Sequence, residues 1–177
     1  MTFFIFSLFI KREVIYMTKL EKSVANFFKY LLIWEVGGLV YYLIEIFYRG
    51  HSHPSMFILG GLCLVLVGLL NNLFSFEMYF ELQVLIGDII VLIGEFTTGL
   101  IVNVWLGLGV WDYSNMKYNI MGQICPQFAL LWMPVIVVAI LVDDWIRYEY
   151  FHEEDPTYRS FIKEKIIDVI KRKAVGR

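Results

Sequence analysis

Several acidic side chains of this sequence stand inside long apolar stretches, where a charge is costly. The residues around Glu35, Glu45, Asp88 and Glu95 are mostly Leu, Ile, Val and Phe. A charged side chain at the centre of a bilayer costs about 2.5–3.5 kcal/mol on insertion scales, so such residues usually face a bundle interior or a wet cavity. These four carboxylates, together with Asn103, therefore predict an intramembrane polar site that could bind a solute or support catalysis.

The acids of the first and third apolar stretches each follow one helical face. In the first stretch, steps of three and four residues connect Glu35, Gly38, Tyr42, Glu45 and Arg49. In the third stretch, the same steps connect Asp88, Leu92, Glu95, Gly99 and Val102, with Asn103 beside them. Residues at these steps share one side of a helix. We therefore expect the two helices to adjoin, with Glu35 and Glu95 facing a shared interior and with Glu45 and Arg49 paired.

A second candidate site lies in the polar loop that begins Trp111-Asp112-Tyr113-Ser114. Its candidate residues are Asp112 and Tyr113, together with Arg49 at the end of the first apolar stretch. Arg can bind a carboxylate through two parallel hydrogen bonds, so an Asp112–Arg49 pair could tie two loops together. Alternatively, Asp112 only caps its own turn, as Asp side chains often do.

The sequence lacks the patterns of several other chemistries. His51 and His53 share one short loop, and Cys63 and Cys125 form no Cys-x-x-Cys pair, so neither a metal site nor a disulfide framework is predicted. A Walker A loop and the HExxH, GxSxG and GxGxxG signatures are also missing. We therefore expect no cofactor, no metal and no nucleic-acid partner.

The apolar stretches are long enough to cross a membrane. Hydrophobic residues make up 59% of the 177 residues, against about 45–50% in soluble proteins. A helix of about 20 apolar residues spans a bilayer, and four such stretches occupy about 25–48, 55–74, 82–110 and 122–142. We therefore predict an all-α integral membrane protein with four transmembrane helices in a lipid bilayer.

The two flanks differ from this apolar region. Residues 1–24 are predicted to be a cytoplasmic or interfacial segment, and residues 143–177 a cytoplasmic basic tail. Within the tail, Asp155 and Pro156 have the residue types of a helix N-cap and first helical position. The apolar and basic residues that follow predict a C-terminal amphipathic helix, at the membrane surface or against a partner.

The positive charges predict an orientation. Five Lys and Arg residues lie at or before Lys29 and eight at or after Arg147, whereas the loops contain only Arg49 and Lys117. Cytoplasmic segments carry an excess of Lys and Arg. We therefore expect a protein of the cell membrane with both termini in the cytoplasm.

Helix packing is indicated by small residues. Gly61 and Gly68 of the second stretch are seven residues apart, as are Gly87 and Gly94 of the third. Small residues at such spacing let helix backbones approach closely in lipid. We expect the second and third helices to pack through these glycines, and we expect Pro134 to kink the fourth helix.

The segment from Glu95 to Cys125 resembles a known family. Its Glu95-Phe-Thr, Trp111-Asp112-Tyr113-Ser114, Asn119 and Gly122-Gln123-Ile124-Cys125 are similar to the type IV ABC-transporter permease family of CmpB-like integral membrane proteins. The similarity is looser over Gly37 to Arg49, and the family's Asn-Arg-Gly-Phe and Gly-Pro-x-Cys-Pro loop is not clearly present. The resemblance implies a permease-like subunit whose ATPase is a separate chain.

Three functions remain open at this point. The first is a transport subunit, which would be an oligomer or bind partners because four helices make a small pathway. The second is a non-catalytic membrane scaffold or sensor subunit. The third is a membrane enzyme that acts on lipid or cell-wall precursors. Only the third gives the chain a catalytic activity of its own.

Overall fold

The computed structural model describes residues 19–74, 78–153 and 156–165. Most of these residues belong to four long helices: α1 (Lys19–Arg49), α2 (Pro54–Phe74), α3 (Phe80–Gly99) and α4 (Pro126–Phe151). A π-helical segment, Leu100–Trp105, continues α3, and one further turn of helix covers residues 161–165. Each of the four helices, α3 together with its π-helical segment, has the length and apolar composition needed to cross a membrane. The predicted all-α membrane class is therefore confirmed.

The bundle has two ends, which we call the loop end and the tail end. The loop end contains residues 50–53 and 106–125, which connect α1 to α2 and α3 to α4. At the tail end, α1 begins and α4 ends, and an ion pair of 2.5 Å joins Lys29 Nζ of α1 to Glu153 just after α4. The first and last described segments thus lie on the same side of the bundle.

The core is centred on α2. Its buried side chains contact buried residues of α3 and α4, and the cluster includes Met56, Leu59, Cys63, Val67, Val91, Ile136 and Ile140. Apolar side chains on the outer surface, such as Leu62, Ile89 and Leu130, are 48–65% exposed. Since lipid tails are as apolar as these side chains, the helices associate through close packing and polar contacts.

Helix α3 ends earlier than the sequence predicted. The expected span 82–110 stops being helical at Trp105, where the backbone turns at Gly107 and Gly109 with φ of 65° and 58°. Only glycine adopts this left-handed region at little cost. Residues 106–110 therefore belong to the loop end.

Helix α4 is shifted along the chain relative to the expected span 122–142. It begins at Pro126, the first helical position, because Cys125 before it is extended. It continues through Asp143 and Asp144 to Phe151. The helix does not end at residue 142, where the sequence placed the end of the fourth span, because buried partners for both acids allow it to continue.

The closest helix approach is between α1 and α2. A Cβ atom added to Gly37 would lie 2.7 Å from the carbonyl oxygen of Gly60, and one added to Gly60 would lie 2.7 Å from the carbonyl oxygen of Gly37. Gly38 and Gly61 similarly face the backbone carbonyls of Phe57 and Trp34. No larger residue fits where two backbones are this near.

The predicted glycine contact between α2 and α3 is only partly correct. Gly94 of α3 does face Leu59 and Cys63 of α2. Gly61, however, faces α1, Gly68 faces the Asp143 carboxylate of α4, and Gly87 lies nearest to Ile136 of α4. Heptad spacing identifies a small-residue face, but it does not say which of several neighbouring helices packs there.

Candidate functional site

The centre of the candidate site is Glu95 of α3, which is 3% exposed. Tyr41 of α1 donates a hydrogen bond of 2.9 Å to Glu95 Oε1. Trp132 of α4 stacks on the Tyr41 ring, with centroids 5.0 Å apart and planes at 29°. We call these three residues, one from each of three helices, the Glu95 site.

Two polar atoms of the Glu95 site are not satisfied. The Trp132 indole lies within electrostatic reach of the Glu95 carboxylate. Even so, neither Trp132 Nε1 nor Glu95 Oε2 has a hydrogen-bond partner in the described part of the chain. Leaving a buried polar group unpaired costs about 1–3 kcal/mol. Both atoms are enclosed by protein, so the site is a buried polar contact among three helices.

Asp88 lies on the same face of α3, seven residues before Glu95. It is buried, and its Oδ1 atom also makes no hydrogen bond with any residue the structure describes. Seven residues of α-helix correspond to about 10 Å along the axis. The two predicted carboxylates of α3 thus form a buried acidic line that points from the centre towards the tail end.

The expectation that Glu35 shares this interior is wrong, because Glu35 is exposed. The buried face of α1 instead contains Ile33, Gly37 and Tyr41, which follow one another at steps of four. Glu35 lies two residues from Ile33 and from Gly37, and residues two apart do not share a helix face. Tyr41 takes the position facing Glu95 that the sequence assigned to Glu35.

Glu45 and Arg49 form the predicted ion pair at the loop end of α1. Glu45 also accepts a hydrogen bond of 2.6 Å from Ser52 Oγ. Arg49 donates through its second terminal nitrogen to the carbonyl oxygen of Val110, at 2.7 Å. Arg49 therefore does connect the two loops, but through the backbone of the second loop.

The predicted Asp112–Arg49 pair is not formed. The exposed Asp112 carboxylate accepts hydrogen bonds from Ser114 N at 2.8 Å and from Ser114 Oγ at 2.5 Å. These two bonds hold the pKa of Asp112 below its ordinary value. The alternative, in which Asp112 caps its own turn, is the correct one.

Three side chains close the loop end above Glu95, and we call them the loop plug: Asn103, Trp111 and Gln123. Asn103 donates to Gln123 Oε1 at 2.8 Å and accepts from Val110 N at 2.6 Å. Trp111 Nε1 donates to the carbonyl oxygen of Gln123 at 2.9 Å. A Cβ atom on Gly99, one turn beyond Glu95, would lie 3.0 Å from Trp111. The plug therefore packs directly on this turn of α3.

The other residues of the segment from Trp111 to Cys125 shape the loop that contains the plug. Asn119 accepts a hydrogen bond from Gly122 N at 2.8 Å, and Gly122 has a φ of 70°. Tyr113 stacks on Phe128 of α4 with centroids 4.4 Å apart, and burial raises the pKa of Tyr113. The residues from Trp111 to Gln123 thus form one hydrogen-bonded unit. Asp112 shapes the turn of this unit, and Tyr113 packs against the buried cluster that contains Tyr41.

A polar cluster at the tail end was not expected from the sequence. Arg147 Nε donates to Asp143 Oδ2 at 2.6 Å, and both side chains are almost fully buried. Asn71 of α2 donates to Asp144 Oδ1 at 2.7 Å. The Arg147 guanidinium also lies over the Tyr30 ring of α1, 5.5 Å from its centroid. The spacing of four between Asp143 and Arg147 was a readable signal for this cluster.

The chain after α4 folds back beneath α3. Tyr158 donates to Asp144 at 2.7 Å, and its burial together with this carboxylate raises the pKa of Tyr158. Glu81, in the first turn of α3, accepts from Ser160 Oγ at 2.5 Å and from Phe161 N at 3.1 Å. We call this set of contacts the tail latch.

The helix start predicted at Asp155 and Pro156 is displaced. Pro156 is not helical, and among the described residues after it helix begins at 161, where Ser160 Oγ accepts a hydrogen bond from Lys163 N at 3.2 Å. Asp155 and most of the expected amphipathic helix lie outside the described residues.

Potential metal ligands do not gather in the described residues, where no three His, Cys, Asp or Glu side chains converge. His53 Nδ1 lies 2.9 Å from Ser55 Oγ within the first loop. Cys63 and Cys125 are both buried and free.

One comparison with known proteins identifies relatives of this chain. The model of the family described as "Putative ABC-transporter type IV" matches residues 1–166, which is most of the chain. No curated protein and no solved structure shows significant similarity. The match covers all four helices, the loop plug and the tail latch.

Proposed function

Because the chain belongs to this type IV ABC-transporter family, we propose that it is the membrane subunit of a transport system and works with a separate ATPase chain. The observation that supports the proposal most strongly is the family match across four helices that can span a membrane. The sequence contains no Walker A loop, so ATP hydrolysis would come from another polypeptide.

In this proposal the protein lies in the cell membrane with the tail end in the cytoplasm. The Lys29–Glu153 ion pair joins the first half of α1 to the chain just after α4 at one end of the bundle. Thirteen of the 15 Lys and Arg residues come at or before Lys29 or at or after Arg147 in the sequence, the parts of the chain that lead into and out of this end. The excess of positive charge favours the cytoplasmic side.

The Glu95 site would contact the transported solute. Glu95 and Asp88 are both buried within the spans, and each has a carboxylate oxygen for which the described residues provide no donor. Buried acids in membrane helices commonly mark a substrate or ion pathway. Four helices enclose little space, so we expect two or more copies, or further membrane subunits, to complete the pathway.

The ATPase would dock at the tail end. The tail latch attaches residues 158–161 to the first turn of α3 and to the middle of the polar cluster, through Glu81 and Asp144. A force applied to the tail by a partner would therefore be transmitted to α3, the helix that contains Glu95. This contact gives the ATPase a direct mechanical connection to the site.

Co-purification tests this proposal. The tagged full-length chain is isolated from its native membranes in mild detergent, the co-purifying proteins are identified, and ATP hydrolysis is measured. We expect one ATPase polypeptide to be recovered, and we expect Glu81→Ala to reduce its yield because the latch is lost. Glu149→Ala is the matched control, since Glu149 is an exposed acid near the end of α4. Recovery of a regulatory protein without any ATPase would favour the scaffold or sensor function instead.

A further inference from the structure

Glu35 lies on the outer surface of α1 at the middle of the bundle. It is exposed, and it makes no hydrogen bond or ion pair with the residues that the structure describes. A Cβ atom on Gly37, two residues later, would lie 2.5 Å from the Cβ atom of Leu64, the middle residue of α2. Helix α2 has 21 residues, or about 31 Å, which matches the roughly 30 Å hydrocarbon thickness of a bilayer. Glu35 is about 3 Å along the axis from Gly37 and is therefore near the bilayer centre.

A carboxyl group at this depth needs a cover other than lipid. Ionisable side chains within membrane helices are costly in lipid, and they almost always face protein or water. The interior of this bundle is closed to Glu35, because Ile33, Gly37 and Tyr41 form the buried face of α1. A surface from outside the four-helix bundle therefore covers Glu35 in the membrane.

The residues around Glu35 form a helix-packing surface, which we call the α1 seam. Its members follow one another at alternating steps of four and three residues: Phe28, Leu32, Glu35, Leu39, Tyr42 and Ile46. This is the spacing at which two helices pack along each other in a left-handed coiled coil and in most membrane bundles. The Phe, Leu and Ile side chains of the seam are 36–58% exposed. The seam is about 27 Å long, so it extends across nearly the whole hydrocarbon core.

A second copy of the chain supplies a partner for Glu35 at the correct depth. Copies inserted in the same direction are related by an axis along the membrane normal, so each seam residue lies at the depth of its counterpart. A protonated carboxyl has an O–H donor in addition to its acceptor oxygen, so one Glu35 can donate to the other. Such interhelical hydrogen bonds hold membrane helices together.

The other faces of a second copy offer no basic partner at this depth. Within the described helices, Lys29, Arg49 and Arg147 lie towards the ends of the spans, and each already forms an ion pair inside its own chain. We propose that α1 packs in parallel against α1 of a second copy along the α1 seam, with the two Glu35 carboxyls hydrogen-bonded to each other. The pairing involves only this chain, so it does not depend on the proposed transport function.

Association of the purified chain in liposomes tests the proposal. Full-length copies labelled with donor or acceptor dyes are reconstituted in phosphatidylcholine without any ATPase, and energy transfer is measured over a series of protein-to-lipid ratios. We expect Glu35→Leu to weaken association about tenfold, the equivalent of one interhelical hydrogen bond of about 1.4 kcal/mol. Glu35→Gln should associate like the wild type, because an amide also donates and accepts. Thr97→Leu makes a similar polar-to-apolar change at an exposed position of α3 and should also associate like the wild type.

Cysteine cross-linking in native membranes locates the interface. In a chain that carries Cys63→Ala and Cys125→Ala, both Leu32→Cys and Leu39→Cys should form disulfides between copies, because identical seam residues face each other. Leu62→Cys of α2 and Leu130→Cys of α4 are the matched controls, since both positions are exposed but lie outside the α1 seam. We expect little cross-linking at these two positions.

Three results would overturn the proposal. Equal association of Glu35→Leu and the wild type would mean that the carboxyls do not pair. Cross-linking of the two seam variants no stronger than that of the two controls would mean that copies do not meet along α1. A cross-link from the seam to a different polypeptide would mean that another subunit covers Glu35.

Discussion

Tyr41 donates a hydrogen bond of 2.9 Å to Glu95 and thereby joins α1 to α3 inside the bundle. The donor is a phenol whose ring also stacks on Trp132 of α4. One tyrosine thus links three helices around a buried carboxylate. In lipid, where apolar contact alone gives little preference for one helix over another, such a polar contact also selects which helices become neighbours.

Removal of this bond should destabilise the protein. Tyr41→Phe keeps the ring and leaves Glu95 Oε1 without its donor, at a cost of about 1–3 kcal/mol. Thermal unfolding in detergent should show a lower midpoint for Tyr41→Phe than for the wild type. Tyr42→Phe, at the adjacent and less buried position of α1, should unfold like the wild type. Equal midpoints for the two variants would mean that the bond does not contribute.

The close contact between α1 and α2 gives a second prediction. Gly60→Leu should prevent their approach, because an added Cβ atom already lies 2.7 Å from the Gly37 carbonyl oxygen. We expect the purified variant to be aggregated or poorly folded, as measured by size-exclusion chromatography in detergent. Thr97→Leu introduces the same side chain at an exposed position of α3 and should behave normally. A monodisperse Gly60→Leu sample with an unchanged melting point would contradict this packing.

The tail-end cluster gives a third prediction. Asp143→Asn removes the nearer acidic partner of the buried Arg147 guanidinium, at 2.6 Å, and leaves its contact with Glu153 at 3.5 Å. Breaking a buried ion pair costs up to about 3–5 kcal/mol. The free energy of unfolding should fall by about that amount in a reversible detergent or denaturant titration. Glu149→Gln neutralises an exposed acid on the same helix and should change the free energy of unfolding little. A small effect of Asp143→Asn would mean that Arg147 finds another partner.

The loop end gives a prediction about pH. Ser114 lowers the pKa of Asp112 by bonding its charged form. A carboxyl whose pKa is lower in the folded than in the unfolded state stabilises the fold above its unfolded pKa, about 3.9 for Asp, and this contribution is lost as the pH falls through the folded pKa. After correction for intrinsic rates, the Ser114 amide hydrogen should therefore exchange faster at low pH, and Asp112→Asn should remove this step.

A variant of Arg49 checks the assignment of that turn. Arg49 bonds to Glu45 and to the Val110 carbonyl oxygen, and Asp112 bonds to Ser114. Arg49→Gln should therefore leave the pH midpoint of Ser114 exchange almost unchanged. A clear upward shift would mean that Arg49 stabilises the Asp112 carboxylate after all.

The fold class could be predicted from the length of the four apolar stretches, and the burial of Glu95 from the cost of placing a charge in lipid. The partner of Glu95 could not. Periodicity assigned Glu35 to the interior. Steps of three and four residues, however, fit more than one face of a helix. The close approach of Gly37 to α2 buries a different face of α1 from the one that contains Glu35. Tyr41 belongs to that face, and because its side chain is uncharged it was not selected as a candidate site residue.

The end of α4 was misjudged for a related reason. Asp143 and Asp144 were interpreted as the start of a polar tail because each acid was considered without partners, and an unpaired acid is costly in lipid. In the structure, Asn71, Arg147 and Tyr158 bond to these two acids. Two of these three partners come from other parts of the chain. Such long-range satisfaction of buried charge is not visible in local sequence patterns.

The most direct test of the account is ATP turnover in liposomes that contain the chain and its co-purified ATPase. Glu95→Gln keeps the size of the side chain and removes its charge, and Glu35→Gln makes the same change at an exposed position of α1. We predict that Glu95→Gln retains the ATPase but changes its turnover by roughly tenfold, the equivalent of one lost charge-assisted bond. Glu35→Gln should match the wild type. If no ATPase is recovered, or if Glu95→Gln and Glu35→Gln both turn over like the wild type, the chain is not a transport subunit that acts through Glu95.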